Sequence, residues 1–280
     1  MKVKYDDLPR PDGTDVVVDP VALAHRDLAG ALPRRFWARV DLGPVEQGFH
    51  LLLDGRPART PARRPLALPN EAVGRLVAEE WTRIGETIDP SLMPCTKIVN
   101  SAIDGVAHDI AGVRADFVKY AESDLLCYRT RHPERLAELQ KESWDPILAW
   151  GHARFGARFT LAEGIVYVEQ PKTSIAAIAN HVSGISDVFH LAALHVVTTL
   201  TGSVLLALAV SENQLSTGDA WTLAHLDEDF QMEVWGHDEE AMARRAMRGS
   251  DMEAACRLMA ATPRRDLSTG SGCAGAEHRY

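Results

Sequence analysis

Residues 188–210 read VFHLAALHVVTTLTGSVLLALAV, a run of 23 residues without Asp, Glu, Lys or Arg. No other feature limits the possible folds of this chain so strongly. A run of this length either crosses a bilayer or is wrapped by the rest of the protein. Its content favours wrapping. His190, His195, Thr198, Thr199, Thr201 and Ser203 carry polar groups that lipid penalises, and no Lys or Arg stands close enough to set an orientation. The expectation is a buried helix, or a helix pair, inside a helical domain, with no membrane insertion. The two histidines are five residues apart and so leave one helical face; they are read as core residues with satisfied hydrogen bonds.

The flanking segments supply the wrapping. FWARVDL alternates from Phe36, and GFHLLLDGRPARTP and RPLALP follow, with breaks at Gly43-Pro44, Asp54-Gly55 and Pro65. Asp-Gly between β-prone runs marks a tight turn, so residues 35–68 predict a small antiparallel sheet. At Pro69 the period changes. Asn70 stands as an N-cap before Glu71, and Ala72–Ile84 has helical spacing. Further helices are predicted at Thr96–Asp104, Ala111–Ser123, Pro133–Phe155, Thr173–Val182, Phe189–Glu212 and Thr217–Met247. Arg158–Glu169 alternates about Glu163-Gly164 and predicts an inserted β-hairpin. Strands first and helices later give an α+β chain. It divides into an extended lead-in at 1–30, a β domain at 31–68, a helical domain at 69–250 and a partly disordered tail at 251–280. Neither GxGxxG nor GxxxxGK[ST] occurs, so a dinucleotide or P-loop site has no support.

The net charge of −9 argues against nucleic acid as a partner. Cys95, Cys127, Cys256 and Cys273 form no CxxC pair and no zinc spacing, which predicts idle thiols in a reducing compartment. The opening MKVKYDDLPRPDG has neither the apolar core of a secretory signal nor the acid-poor look of a transit peptide, so a bacterial cytoplasm is expected.

Trp221–Ala241 reads WTLAHLDEDFQMEVWGHDEEA, with seven acids and no Lys or Arg between Asp227 and Glu240. Like charges at this density weaken a helix. Three readings fit the segment. It is a solvated acidic face, with Leu226, Phe230 and Val234 packing inward. It is a metal site in a metal-dependent enzyme, because His225, Asp229, Glu233 and His237 recur every four residues along one face. Or it is a recognition surface for a basic protein partner, formed by Asp227, Glu228, Asp229, Glu233 and Glu240 with Phe230 and Trp235 as anchors. Arginines gather instead near the sheet, at Arg34, Arg35, Arg39, Arg56, Arg59, Arg63 and Arg64, against Asp41, Glu46 and Asp54. They protect strand edges or form a second, oppositely charged contact surface.

RRFW at Arg34, LLLDGRPARTP at Leu51, the Glu80-Trp81 pair, TIDPSLMPCTKIVNSAID at Thr87, YAESDLLCYR at Tyr120, WDPILAW at Trp144 and the two segments above follow one another in a fixed order. This ordered set resembles the ATP synthase assembly chaperones that bind the alpha subunit of the F-type enzyme (the ATP-twelve type), over residues 34–245. The resemblance implies a small β domain before a larger helical one, no catalytic activity, no required cofactor and no metal. It implies a protein client, the free alpha subunit, whose interface is shielded until the beta subunit takes the chaperone's place. It also implies that the functional acidic positions lie in the C-terminal acidic motif, here Asp227, Glu228, Asp229, Glu233 and Glu240. An interaction module for another client remains the alternative.

Overall fold

The computed structural model describes residues 32–164, 167–236 and 238–262. An antiparallel sheet opens it. Strands β1 (Val40–Val45) and β2 (Gly48–Leu53) pair with Val40 opposite Leu53 and Val45 opposite Gly48. β3 (Arg56–Pro57) and β4 (Ala67–Leu68) both pair with β2. Asp54 and Gly55 make the expected two-residue turn, each at positive φ (48° and 79°). The Asp54 carboxylate accepts from the backbone N–H of Ala38 and Arg39, which fastens the strand entry and lowers its pKa.

Gly43-Pro44 does not end a strand as the sequence predicts. It lies inside β1. β1 is an edge strand, where a missing N–H is tolerated. The chain turns instead at residues 46–47. Gly48 then takes φ 103°, and a Cβ there would meet the Leu68 carbonyl oxygen at 2.1 Å.

Helix α1 (Glu71–Arg83) packs on the sheet. Its predicted cap is present: the Asn70 side chain accepts from Val73 N at 2.9 Å. The same side chain donates to the Ala261 carbonyl at 2.8 Å, which ties the start of the helical region to its end. Then follow α2 (Pro94–Asp104), α3 (Ile110–Glu122), α4 (Glu134–Phe155), α5 (Lys172–Ser183), α6 (Val188–Thr201) and α7 (Val204–Ser211). The last three are α8 (Thr217–Ala224), α9 (Leu226–Trp235) and α10 (Glu239–Ala261).

The apolar run is a helix pair at the centre. Asp187 caps α6 through the N–H groups of Phe189 and His190. Gly202, at φ 66°, ends it, and Ser203 caps α7. Leu191, Leu194, Val197, Leu205, Leu206 and Leu208 are buried. α10, α2 and α3 cover α6, while α3, α4 and α8 cover α7. A Cβ on Gly151 of α4 would come within 2.9 Å of the Leu205 side chain, so α4 approaches closely because that position has none. Among the described residues no helix is long and apolar enough to cross a membrane. His190 is buried and bonded to the Thr262 carbonyl and the Ser211 hydroxyl, and His195 pairs with Asp116 at 2.8 Å. Sheet and helices share one buried cluster, running from Trp37 to Met259.

Three local expectations differ from the fold. Ala162–Glu163 (β6) pairs in parallel with Tyr128–Arg129 (β5), not with a strand of its own segment. A local hairpin was read from alternation alone, and the true partner is over thirty residues upstream; part of the segment, 165–166, lies outside the described residues. The helical stretch read over Thr217–Met247 is three helices, broken at His225 and Gly236. The last of them runs past 250, to Ala261, because Met252, Ala255, Leu258 and Met259 are buried and α10 packs along α6. The lead-in at 1–30 and the tail from 263 on lie outside the described residues.

Asp124 joins the pieces. It is fully buried, accepting from Leu126 N at 3.0 Å, Ser203 Oγ at 3.0 Å and Leu205 N at 3.1 Å. Burial outweighs these donors and pushes its carboxyl up to about 6. Its folded pKa lies above the unfolded value, so this group's stabilising contribution is full at low pH and is lost as pH rises through about 6. Relative to Asp124→Asn, the wild type should therefore lose about 1–2 kcal/mol between roughly pH 5 and pH 7.5, measured by urea unfolding. Leu205→Ala should cost about 2–5 kcal/mol in the same assay, through lost burial and the cavity left behind.

Candidate protein-binding site

The acidic segment folds as a helical hairpin, α9 followed by the first turns of α10. Gly236, at φ 90°, reverses the chain between them. No residue of α9 is fully buried. Val234, read from its spacing as inward-facing, is 52% exposed. α9 packs on α4 and, through Asp229 and Met232, against Arg245 of α10.

Two of the acids, Asp229 and Glu233, are held by cations that the sequence does not place beside them. Asp229 pairs with Arg245 of α10, whose side chain is largely buried and whose pKa is raised by that carboxylate. Glu233 accepts twice from Arg135 of α4, at 2.9 and 3.1 Å. The same guanidinium lies 5.6 Å from the centre of the Phe230 ring. Asp227 accepts from the buried Gln140 at 2.8 Å. Glu240 pairs with Arg244 one turn along its own helix and stays mostly exposed. Glu228 is exposed, and Asp238 caps α10 through Glu240 N. Asp227 and Glu233 thus tie α9 to α4, Asp229 closes α9 against α10, and Glu228 and Glu240 face outward. Arg135, Gln140 and Arg245 are the residues missed from sequence. Arg135 is 98 positions from Glu233, so no local pattern signals the pair.

His225 breaks the helix before the hairpin. It is buried and stacks on Trp221 at 3.9 Å between ring centres, and burial lowers its pKa. Asp229 and Glu233 are committed to different arginines, and His237 lies outside the described residues. Among the described residues no three His, Cys, Asp or Glu side chains are grouped to hold a metal.

What the hairpin offers outward is apolar. Ten large hydrophobic residues are exposed among the described residues, and Val234, Trp235, Met242 and Met247 are four of them. Trp235 is 86% exposed. It borders a cleft of about 460 Å³ between the two helices, with Met232, Met242 and Arg248. Exposed aromatic and methionine side chains next to paired charges are the composition of a protein-binding patch, not of a catalytic pocket.

Residues 34–152 match the family described as ATP12 chaperone protein. The crystal structure of Atp12 from Paracoccus denitrificans is 41% identical, with a TM-score of 0.75, covering 82% of this chain and 98% of that one. The chain belongs to the ATP12 chaperone family. An aspartate-to-lysine mutant of the Paracoccus protein gives 40% identity and a TM-score of 0.76 over the same shares. A chaperone-like protein from Agrobacterium tumefaciens is 45% identical, with a TM-score of 0.80, covering 87% of this chain and 91% of that one. The mitochondrial atp12 protein of Schizosaccharomyces pombe is 25% identical over 221 residues, 74% of this chain and 75% of its own. The resemblance read from the sequence is borne out, as is the α+β class.

Within the match, the residues that carry the ATP12 resemblance act as internal fasteners. Glu80 accepts from Cys95 N at 2.6 Å and from Thr96 N at 2.8 Å, capping α2 from another helix. Trp81 donates to Thr96 Oγ1 at 3.2 Å. Arg35 donates to the Ile84 carbonyl at 2.6 Å. Trp144 donates to the Leu223 carbonyl, and Asp145 pairs with Arg129. Cys95, Cys127 and Cys256 are buried, and burial pushes the Cys95 thiol up to about 12, far from a reactive thiolate. Cys273 lies outside the described residues. The family match stops before the hairpin. Glu80→Ala should therefore cost at least about 2 kcal/mol by leaving helix donors unpaired, while Trp235→Ala should change stability by less than about 0.5 kcal/mol, both read from denaturant unfolding.

Proposed function

We propose that the chain is a chaperone for ATP synthase assembly that binds the free alpha subunit through the α9–α10 hairpin and acts in the cytoplasm. The observation that carries this is Trp235, almost fully exposed at the tip of a hairpin that Arg135 ties to α4 and Arg245 closes between its two arms. A tryptophan in that position costs little to order and supplies a large anchor. Family membership supports a protein client, and the ordered motifs resemble the branch that holds the alpha subunit.

The division of labour among the acids follows from their partners. Asp227, Asp229 and Glu233 set the hairpin's pose, with Phe230 beneath Arg135. Glu228 and Glu240 lie outward, where they meet basic groups of the client. Contacts of this mixed kind favour release: charge sets encounter and salt sensitivity, and a more complementary subunit displaces the holder.

The test is light scattering of purified alpha subunit with and without the chaperone. Wild type should suppress aggregation. Trp235→Ala should weaken binding by roughly 30-fold, about 2 kcal/mol, with an unchanged circular dichroism spectrum. Glu240→Lys should also weaken it, more at low salt than at high salt. Suppression that survives both changes would move the client site off the hairpin, and no suppression by wild type would remove the alpha subunit as client.

A further inference from the structure

Three of the hairpin's seven carboxylates, those of Asp229, Glu233 and Glu240, pair with arginines within the molecule, and the arginines near the sheet are less fully paired. Arg39 pairs with Asp41 and Arg64 with Asp104. Arg35 is spent on the backbone carbonyls of Trp37, Ala38 and Ile84. Arg34, Arg56, Arg59 and Arg63 have no carboxylate partner among the described residues, and all four are exposed; Arg59 donates from one guanidinium nitrogen to the Arg63 carbonyl at 2.8 Å. Although the chain carries a net charge of −9, its uncompensated surface charge near the sheet is positive.

Arg56 and Arg59 border a groove of about 660 Å³ whose apolar lining includes Leu53, Ala58 and Trp81. Phe36 forms its wall and is 76% exposed. That ring is not loose. It meets Trp37 edge-to-face at 5.1 Å, Trp37 packs on Trp81 at 5.0 Å, and Trp81 is anchored to Thr96. The groove's one lining carboxylate, Asp54, already accepts from two backbone N–H groups. Edge protection explains a lone arginine on β3, but it does not explain an exposed phenylalanine over an apolar floor.

We propose that this groove is a second docking surface, taking an acidic protein segment that carries a large apolar side chain. The apolar side chain sits between Phe36 and Trp81, and flanking carboxylates meet Arg56 and Arg59. Arginine suits this role, since its planar fork pairs with carboxylates in two-point geometry. With the hairpin it would give the chaperone two contacts of opposite charge, so that either one alone can be weak.

The proposal is tested with a fluorescein-labelled synthetic peptide of Glu and Asp around one Phe and one Leu, and with its Gln/Asn analogue, by fluorescence anisotropy on the full chain. Wild type should bind the acidic peptide saturably and the neutral analogue far more weakly. The double change Arg56→Glu with Arg59→Glu should weaken binding at least roughly tenfold, as a close charge reversal does. Phe36→Ala should weaken it as well. Trp235→Ala should leave it unaltered, which separates this surface from the alpha-subunit reading. Circular dichroism checks that the exposed changes leave the fold intact. Equal affinity in wild type and the double variant, or no saturable binding, overturns the proposal. Sedimentation covers the remaining occupant: self-association of wild type that the double reversal abolishes would make a second copy the ligand and overturn the external partner.

Discussion

The fold depends on hiding one stretch of chain from water. α6 and α7 are predominantly apolar, and α7 has no polar face, with Val204 to Ala209 all buried. Each fully buried Leu or Val there is worth about 1.5–3 kcal/mol relative to exposure, which no surface charge pair approaches. Neighbours must therefore cover the pair on every side. α2, α3, α4, α8 and α10 do so, and the sheet and α1 close over that layer. A helix pair this largely buried offers little surface to a partner, which is why the proposed client site lies on what projects from the body.

Polar fasteners then select one arrangement of that cover. Asp124 links the turn after α3 to the start of α7, Glu80 caps α2 from α1, and Asn70 reaches the end of α10. Each satisfies backbone groups that burial would leave orphaned. Glu80 and Asp124 are among the residues whose order in the sequence carries the resemblance to the ATP12 family. The family match reports the fold more directly than any client site, since the hairpin proposed as that site lies beyond the matched residues 34–152.

That distinction explains what could be read from the sequence. The Asn70 cap, the Asp54-Gly55 turn and the buried run at 188–210 rest on neighbouring residues, and local chemistry shows them. Gly43-Pro44 was misread because its tolerance comes from β1 being an edge strand, a tertiary fact. The partner of Ala162–Glu163 was invisible for the same reason. The acidic hairpin was legible in composition but not in consequence. Seven acids suggested a charged surface, whereas Arg135, Arg245 and Gln140, distant in sequence, convert three of them into anchors and leave Trp235 as the outstanding feature.

In the proposed complex the helical body presents the α9–α10 hairpin to the alpha subunit. Hydrogen exchange read by mass spectrometry, with and without purified alpha subunit of the F-type ATP synthase, tests this most directly. Amides over residues 226–248 should gain protection on binding, while those of α6 and α7, already shielded in the free protein, should not change. Protection confined to other surfaces, with 226–248 exchanging as fast in the complex as alone, would contradict it.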